Sequence, residues 1–223
     1  MGRGKLARFA ANQVAHNVFE RGKPNYETIR GNWHETYFHN TNPIALELAC
    51  GRGEYTVALA EKFPDQNFIG VDIKGARLWK GSQLCLQKGL QNAAFLRIQI
   101  QNIETFFAAG EVSEIWLIHP DPRPKDGDER RRLTHPRFLQ HYRNIGKPGM
   151  WLRLRTDSDR LFHYTIKVLQ SEKITDLSYT EDLYQSPLLE DHLDVNGEPI
   201  RTKYEEMFVA KGHAIHYLKC RLW

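Results

Sequence analysis

From residue 44 onward, short apolar runs alternate with helix-length amphipathic stretches. Apolar runs that are bounded by turn residues and separated by helices are typical of parallel strands buried between helices. The pattern predicts seven strands, at 44–49, 68–72, 94–100, 115–118, 150–155, 174–177 and 214–218. It predicts helices at Glu54–Lys62, Gly75–Lys88, 103–108, 136–144 and Asp159–Gln170, and a polar stretch at 180–206. The expected fold is therefore α/β, an open sheet with helices on both faces.

The first 41 residues lack this alternation and are rich in positive charge. Residues 1–30 carry six Lys or Arg against two Glu, a balance of +4 that equals the net charge of the whole chain. A second cluster at 122–155 holds ten Lys or Arg against three acidic residues. Clustered cations attract phosphate backbones, so a nucleic-acid partner is expected, although 130–132 also fits a solvated helix start. We expect a basic, partly flexible extension at 1–41 and one domain at 42–223.

Composition also narrows the expected cellular context. No segment resembles a signal peptide or reaches the roughly 18 apolar residues that a membrane span needs. The cysteines Cys50, Cys85 and Cys220 show no metal-ligand spacing and suit a reducing compartment. His213 and His216 have no third ligand at a useful spacing, so no metal is expected. The sequence predicts a cytoplasmic protein without a membrane segment.

The first predicted strand leads through Glu47 into a turn of small residues at 49–53, just before a helix. Such a turn lets a ligand approach the backbone, and a helix amino terminus favours polar or anionic groups. The second strand ends at Asp72, where a carboxylate can accept both ribose hydroxyls of an adenosine cofactor. A nicotinamide dinucleotide is disfavoured, because a third small residue is missing and Glu47 would repel a pyrophosphate. Glu47 suits the cationic end of S-adenosylmethionine; its alternative role is to accept backbone hydrogen bonds.

The segment after the fourth strand reads His119-Pro-Asp-Pro-Arg-Pro-Lys125, and we call 119–125 the proline loop. Each proline fixes its own φ and restricts the residue before it, so the chain leaves the strand as a stiff, extended segment. Ligands of open α/β sheets bind outside the carboxyl ends of the strands. Asp121 is therefore the main candidate for chemistry, and capping of the strand end is its alternative role.

Five motifs in order carry a resemblance that covers about residues 33–208. They are Glu47-Leu-Ala-Cys-Gly-Arg-Gly53, Gly70-Val-Asp-Ile-Lys74, Pro120-Asp-Pro-Arg-Pro-Lys125, Arg155-Thr-Asp157 and Thr202-Lys-Tyr-Glu205. Together they resemble the tRNA (guanine-N7-)-methyltransferases of the bacterial TrmB type, which have a Rossmann-like, seven-stranded class I methyltransferase sheet. The resemblance implies methyl transfer from S-adenosylmethionine to N7 of a guanosine in tRNA, with the variable loop as the expected position. It leaves a monomer and a homodimer both open.

The resemblance also implies roles for individual residues. It makes Asp121 the active-site carboxylate. It assigns to the S-adenosylmethionine site Glu47, Gly51, Gly53, Asp72 and Asp121. It assigns to the RNA contact Lys125, Asp157, Thr202, Lys203, Tyr204 and Glu205. The acidic residue that the family has after the third strand is missing here, so Gln99 or Asn102 is expected to bond the adenine edge. Ala49, His119 and Arg123 replace the usual Gly, Phe and Trp, and Arg123 is expected to turn outward toward phosphate.

The chemistry of the substrate constrains the role of Asp121. Guanine N7 is a lone-pair acceptor, so methylation removes no proton, and Asp121 is expected to stabilise the developing positive charge. That edge is inaccessible in an A-form helix, so the target base must be splayed out, and Tyr204 either stacks on a base or packs internally. Two alternatives remain. One is another S-adenosylmethionine-dependent methyltransferase, acting on a small molecule or an adenine amino group; the other is a non-catalytic RNA-binding protein with a methyltransferase fold.

Overall fold

The structure, a computed structural model, describes residues 3–209 and 212–223. Its helices are α1 (Arg3–Val14), α2 (Glu54–Lys62), α3 (Gly75–Lys88), α4 (Pro136–Ile145), α5 (Asp159–Gln170) and α6 (Lys203–Val209). Its strands are β1 (Val18–Phe19), β2 (Ile44–Leu48), β3 (Asn67–Val71), β4 (Ala93–Leu96), β5 (Val112–Ile118), β6 (Gly146–Thr156), β7 (Ile174–Thr180) and β8 (His216–Leu222). Short 3-10 or π turns lie at His34–Phe38, Ile100–Thr105, Asp126–Arg131, Leu183–Gln185 and Pro187–His192.

The described strands form one eight-stranded sheet in the order β1-β4-β3-β2-β5-β6-β8-β7. Pairs from β1 to β6 are parallel, whereas β8 runs antiparallel to β6 and β7. All seven predicted strands are present, and α2, α3 and α5 have the predicted bounds. An eighth strand, β1, lies within the first 41 residues and pairs with β4. Its two residues are too few to produce a periodic signal in the sequence.

The core lies on both faces of this sheet, so the predicted α/β arrangement with helices on both faces is confirmed. Successive side chains of β5 alternate: Leu117 packs in the cluster with Leu161 of α5, and Trp116 packs in the cluster with Leu59 of α2. All five residues of β2 are buried. Burial on both faces explains why the parallel strands appear as continuous apolar runs in the sequence.

Residues 3–41 pack against the edge and both faces of the sheet. Helix α1 lies against α3, and the side-chain amide of Asn12 donates to the Gly75 carbonyl at 2.8 Å. Trp33 is fully buried, donates from Nε1 to the Phe106 carbonyl at 2.9 Å, and stacks on Phe107 with ring centroids 5.5 Å apart. The division of the chain at residue 41 stays a prediction.

Parallel pairing brings the carboxyl ends of β2, β3 and β5 to one edge of the sheet. The chain leaves β2 toward β3 on one side and later returns to place β5 on the other, so a topological switch point lies at β2. Ligands of open α/β sheets bind at such a point. The loops that follow these three strands hold residues 49–53, Asp72 and the proline loop. None of the helices within the described ranges is long and apolar enough to cross a membrane.

Candidate active site

A cavity of about 390 Å³, which we call the main cavity, opens at this switch point. Its volume falls within the range typical of small-ligand sites, roughly 300–1,000 Å³. The lining residues come from the loops after β2, β3, β4 and β5 and from the segment 130–138. They are Ala49, Asp72, Ile73, Lys74, Arg77, Ile98, Gln99, Ile100, Gln101, His119, Asp121, Arg123, Arg130, Arg131, Leu133, Arg137 and Phe138.

The turn between β2 and α2 is built from left-handed residues. Ala49, Gly51 and Gly53 have φ values of +60°, +57° and +69°. A Cβ on Gly53 would lie 2.4 Å from the Phe95 ring, so this glycine is required for packing, whereas a Cβ on Gly51 would meet open space. Gly51 is therefore the glycine whose open side leaves room for a ligand.

Asp72 follows β3 directly and is nearly buried. Its carboxylate accepts hydrogen bonds from the Gly51 amide at 2.9 Å and from the Lys74 amide at 2.8 Å. A carboxylate offers about four lone-pair sites, so Asp72 keeps capacity for two more donors such as ribose hydroxyls. Gln99 lines the main cavity, but Asn102 lies in a neighbouring cavity of about 380 Å³ that Gln99 also lines.

Glu47 lies behind the turn. Its carboxylate accepts hydrogen bonds from the amide of Thr56 at 2.7 Å and from the Thr56 hydroxyl, in the first turn of α2. Burial raises the pKa of Glu47 to about 8, and the two hydrogen bonds from Thr56 oppose that rise. The hydrogen bond from the Thr56 amide agrees with the alternative role expected for Glu47, which is to accept backbone hydrogen bonds.

Asp121 stands on the rim of the main cavity with 78% of its side chain exposed. Arg123 donates from Nη2 to its carboxylate at 3.0 Å. The expectation that Arg123 turns outward toward phosphate is therefore wrong in this structure, where its guanidinium pairs with the carboxylate two residues away. An exposed pair of this kind contributes only about 0–1 kcal/mol, so it separates readily.

A buried group of charged side chains, which we call the ionic cluster, lies beside the proline loop. It consists of His119, Arg155, Asp157 and Glu205. The His119 ring nitrogens lie 3.2 Å from Asp157 Oδ1 and 3.2 Å from Glu205 Oε2. The other oxygen of Glu205 accepts from Arg155 Nη2, and neither of these two side chains is exposed.

Hydrogen bonds in the ionic cluster set its protonation. Burial alone lowers the pKa of His119, but the hydrogen bonds to Asp157 and Glu205 raise it above the ordinary value. Burial alone would raise the pKa of each carboxyl, but the hydrogen bonds from His119 hold the pKa values of Asp157 and Glu205 below their ordinary range. Protonated His119 between two ionised carboxylates is the state that these contacts favour.

The predicted RNA-contacting residues lie in two places. Lys125 is exposed at the end of the proline loop, next to the segment Asp126–Arg131, which begins with acidic residues and ends in two arginines. Thr202 accepts from the Glu205 amide at 3.2 Å and so caps α6, and Lys203 is exposed in the first turn. Glu205 points inward to the ionic cluster. The side chain of Tyr204 lies outside the described residues.

The fold brings Asp72, Gln99 and Asp121 to one cavity and places Glu47 and Asn102 outside its lining. Sequence reasoning missed His119 as a site residue, and also missed the positive lining formed by Lys74, Arg77 and Arg137. The one local signal for His119 was its position in the sequence, two residues before Asp121. Its partners, 38 and 86 residues away, gave no local signal. Within the described ranges, no group of three or more His, Cys, Asp or Glu is arranged to hold a metal ion.

Comparison with known proteins gives matches over nearly the whole chain. A family model described as "Putative methyltransferase" matches residues 41–218. The tRNA (guanine-N(7)-)-methyltransferase of Cytophaga hutchinsonii is 48% identical over 221 residues, covering 98% of this chain and 97% of that protein. The protein of the same name from Bacteroides thetaiotaomicron is 45% identical over 226 residues, covering 100% of this chain and 87% of the relative.

Solved structures share the fold at low sequence identity. An antibiotic-related methyltransferase aligns with a TM-score of 0.56 at 14% identity, covering 82% of this chain and 89% of the other. A variant of the 16S rRNA (adenine(1408)-N(1))-methyltransferase from Catenulisporales acidiphilia, solved with its cosubstrate SAM, aligns with a TM-score of 0.57 at 14% identity. That alignment covers 83% of this chain and 88% of the other. At this identity the likeness concerns the fold alone.

Proposed function

Because the chain belongs to the tRNA (guanine-N(7)-)-methyltransferase family, we propose that it transfers a methyl group from S-adenosylmethionine to N7 of a guanosine in tRNA. The product is 7-methylguanosine, and the variable loop is the proposed position. The observation that carries the proposal is the main cavity, which combines the nearly buried Asp72 with the exposed Asp121 inside a ring of cations. A tRNA substrate also favours the cytoplasm as the site of action.

The main cavity suits the cofactor. Asp72 has free lone pairs for two ribose hydroxyls, and Gln99 offers both a donor and an acceptor to an adenine edge. Gly51, which is outside the lining and donates from its amide to Asp72, has open space on its Cβ side. Glu47 would meet the ammonium group directly or through water, provided that its carboxyl ionises. When bound, S-adenosylmethionine supplies a methyl group on a positively charged sulfur.

The reaction requires no proton removal. Guanine N7 has a free lone pair, and the methylated purine is cationic. Asp121 then acts as a fixed negative charge that stabilises the positive charge developing on the base, and as an acceptor that orients the base. Since N7 has no proton to lose, this role is electrostatic and needs no general base.

The cations around the main cavity provide the RNA surface of the proposal. The basic rim is defined as Lys74, Arg77, Arg123, Arg130, Arg131 and Arg137, all of which line the cavity. The six positive charges of the basic rim outnumber the two carboxylates of the cavity, Asp72 and Asp121. The rim therefore attracts the phosphates on either side of a splayed base. Lys125 and Lys203 would extend this surface. Asp157 and Glu205 act through His119, because their carboxylates face the ionic cluster.

The test is the identity of the methylated nucleoside. The protein is incubated with labelled S-adenosylmethionine and bulk tRNA that lacks the modification, and the RNA is digested to nucleosides. Label in 7-methylguanosine is expected. Label in another nucleoside would indicate a different methyltransferase specificity, and unlabelled RNA from a protein that still binds tRNA would indicate a non-catalytic RNA-binding protein.

A further inference from the structure

The proline loop is strained on both sides of Asp121. His119 and Arg123 have φ values of +45° and +47°, and each precedes a proline. A side chain at positive φ is disfavoured by steric repulsion, and the residue before a proline is normally restricted to extended backbone. Conformations of this kind persist only where surrounding contacts hold them. The loop that carries the proposed catalytic residue therefore needs an anchor.

His119 is the side chain in position to act as that anchor. Only 5% of it is exposed, and its amide donates to the Arg155 carbonyl at 2.8 Å. Its ring contacts Asp157 at the end of β6 and Glu205 in the first turn of α6. One ring thus joins the end of β5, the end of β6 and the helix that carries the proposed RNA contacts.

Both ring contacts require a particular protonation state. A neutral imidazole has one N–H donor, whereas the imidazolium has two. With neutral His119, a ring lone pair would face one of the two carboxylates, Asp157 or Glu205, at 3.2 Å. An acceptor that faces another acceptor in a buried site is unfavourable.

Among the charged groups that face His119 from each neighbouring element, the two carboxylates favour the imidazolium and the Arg155 guanidinium opposes it. Strand β6 contributes Arg155 and Asp157, and α6 contributes Glu205, whose carboxylate also accepts from Tyr184 at 2.7 Å. His213, before β8, acts electrostatically on Asp157. Asp121 lies two residues away on the same loop. With His119 protonated, the two cations and two carboxylates of the ionic cluster balance.

We propose that His119, as an imidazolium, is the positioning residue that holds Asp121 in the strained proline loop and connects that loop to α6. The proposal rests on the function proposed above. His119 does not touch the reacting atoms; it acts through the backbone of the loop. Loss of either carboxylate contact would let the loop relax away from the geometry that places Asp121 on the cavity rim.

The protonation state is measured directly by ¹⁵N NMR of the imidazole rings. At pH 7, His119 is expected to carry a proton on both ring nitrogens and to titrate above the ordinary pKa of about 6.5. The variant Asp157→Asn, which removes one charged acceptor, is expected to lower that titration. A ring with one unprotonated nitrogen at pH 7 in the wild-type protein would overturn the proposal.

Kinetics then test the positioning role. His119→Phe keeps a ring but has no donor; we expect its kcat to fall about ten- to a hundredfold, with S-adenosylmethionine affinity within about twofold of wild type. Wild-type kcat should decline as pH rises through the raised pKa of His119, and the His119→Phe profile should lack that limb. His119→Gln keeps one donor and should be intermediate. His163→Phe, at an exposed histidine of α5, is the matched control.

Each outcome bears on the proposal. A folded His119→Phe protein with wild-type kcat, or one that keeps the alkaline limb, would overturn it. If His119→Phe fails to fold, His119→Gln and Asp157→Asn carry the same comparison. If wild-type protein makes no 7-methylguanosine, the proposed function fails on its own, and the NMR titration still decides whether His119 is the imidazolium. If the product forms and His119→Phe is normal, only the positioning role fails.

Discussion

At the scale of single residues, unusual backbone conformations concentrate at the candidate active site. Three of the positions that depart from the family pattern, Ala49, His119 and Arg123, have positive φ. Such conformations cost about 1–3 kcal/mol each and cluster at functional sites. In a sequence, an Ala where glycine is usual indicates loss of a motif. In the structure, Ala49 keeps the left-handed turn that the glycine would form.

Asp121→Ala should lose most turnover while keeping its fold and its cofactor affinity. Removal of one preorganised electrostatic group typically lowers kcat about 10²- to 10³-fold. The unfolding midpoint should not change, because the side chain is 78% exposed and its partner Arg123 is also partly exposed. The measurements are initial rates with saturating tRNA and calorimetric titration with S-adenosylmethionine. Asp126→Ala, at a 92% exposed carboxylate paired with Arg160, is the control; wild-type turnover in Asp121→Ala would contradict the assignment.

Glu47→Gln should bind S-adenosylmethionine more weakly than the wild-type protein and should be more stable at alkaline pH. Because burial raises the folded-state pKa of Glu47 to about 8, its contribution to stability is present below the unfolded pKa and is lost as pH rises through 8. The variant lacks this loss, so its advantage in urea unfolding should grow between about pH 5 and pH 8 and level off above pH 8. Its S-adenosylmethionine affinity should fall about tenfold, the value of one charged hydrogen bond. Glu61→Gln, at a partly exposed residue of the same helix, is the control. Unchanged affinity would leave Glu47 with its structural role alone.

At the scale of elements, the structure decides where the arginines after the proline loop lie, which the sequence left open. A solvated helix start was one expectation. Instead, Asp126–Arg131 is one short 3-10 turn, and α4 begins only at Pro136. The turn and the first residues of α4 direct Arg130, Arg131 and Arg137 to the main cavity. The cations therefore belong to the basic rim and not to the face of a long helix.

The double variant Arg130→Gln/Arg137→Gln should weaken tRNA binding. Each phosphate contact contributes about 0.9 to the slope of log affinity against log salt on double-stranded nucleic acid, so the slope should fall by about 1 to 2. The measurement is a fluorescence titration with tRNA at several salt concentrations. The control, Lys147→Gln/Lys167→Gln, changes the first residues of β6 and the last turn of α5, at the opposite edge of the sheet. Equal losses in both double variants would indicate general charge attraction and not a contact at the rim.

At the scale of the whole molecule, residues 3–41 contribute to the same packed body as the sheet. β1 extends the sheet beside β4, and Trp33 stacks on Phe107 in the same core cluster as β2 and β5. The basic composition of this segment predicted an extension. The aromatic residues that hold it are a small part of its sequence, and their partners lie about seventy residues away, as in the bond from Trp33 to Phe106.

Trp33→Ala should destabilise the entire protein in one transition. Loss of a fully buried tryptophan costs about 3–5 kcal/mol, and the side chain also satisfies the Phe106 carbonyl. Urea unfolding followed by fluorescence and by circular dichroism should give coincident curves at a lower midpoint. Leu6→Ala, at a residue of α1 that is 55% exposed, should change the free energy of unfolding by no more than about 0.5 kcal/mol. A separate early transition limited to the first 41 residues would support an independent extension.

The sequence by itself determined the alternation of strands and helices and the local motifs. Burial on both faces makes each parallel strand a continuous apolar run, and the amphipathic period gives helices such as α3 their bounds, so both are readable from local order. The same holds for Asp72, which directly follows β3, and for Asp121 in the loop that follows β5, because both lie at the edge where ligands bind.

Only the tertiary structure decided which side chains meet across long sequence separations. Strand β1 was invisible because a two-residue strand has no period, and its partner lies in β4. The ring of His119 finds Asp157 and Glu205 because β5, β6 and α6 end at one place, a fact of topology that no local pattern contains. Residue order determined the positions of the carboxylates, and packing determined their partners and charge states.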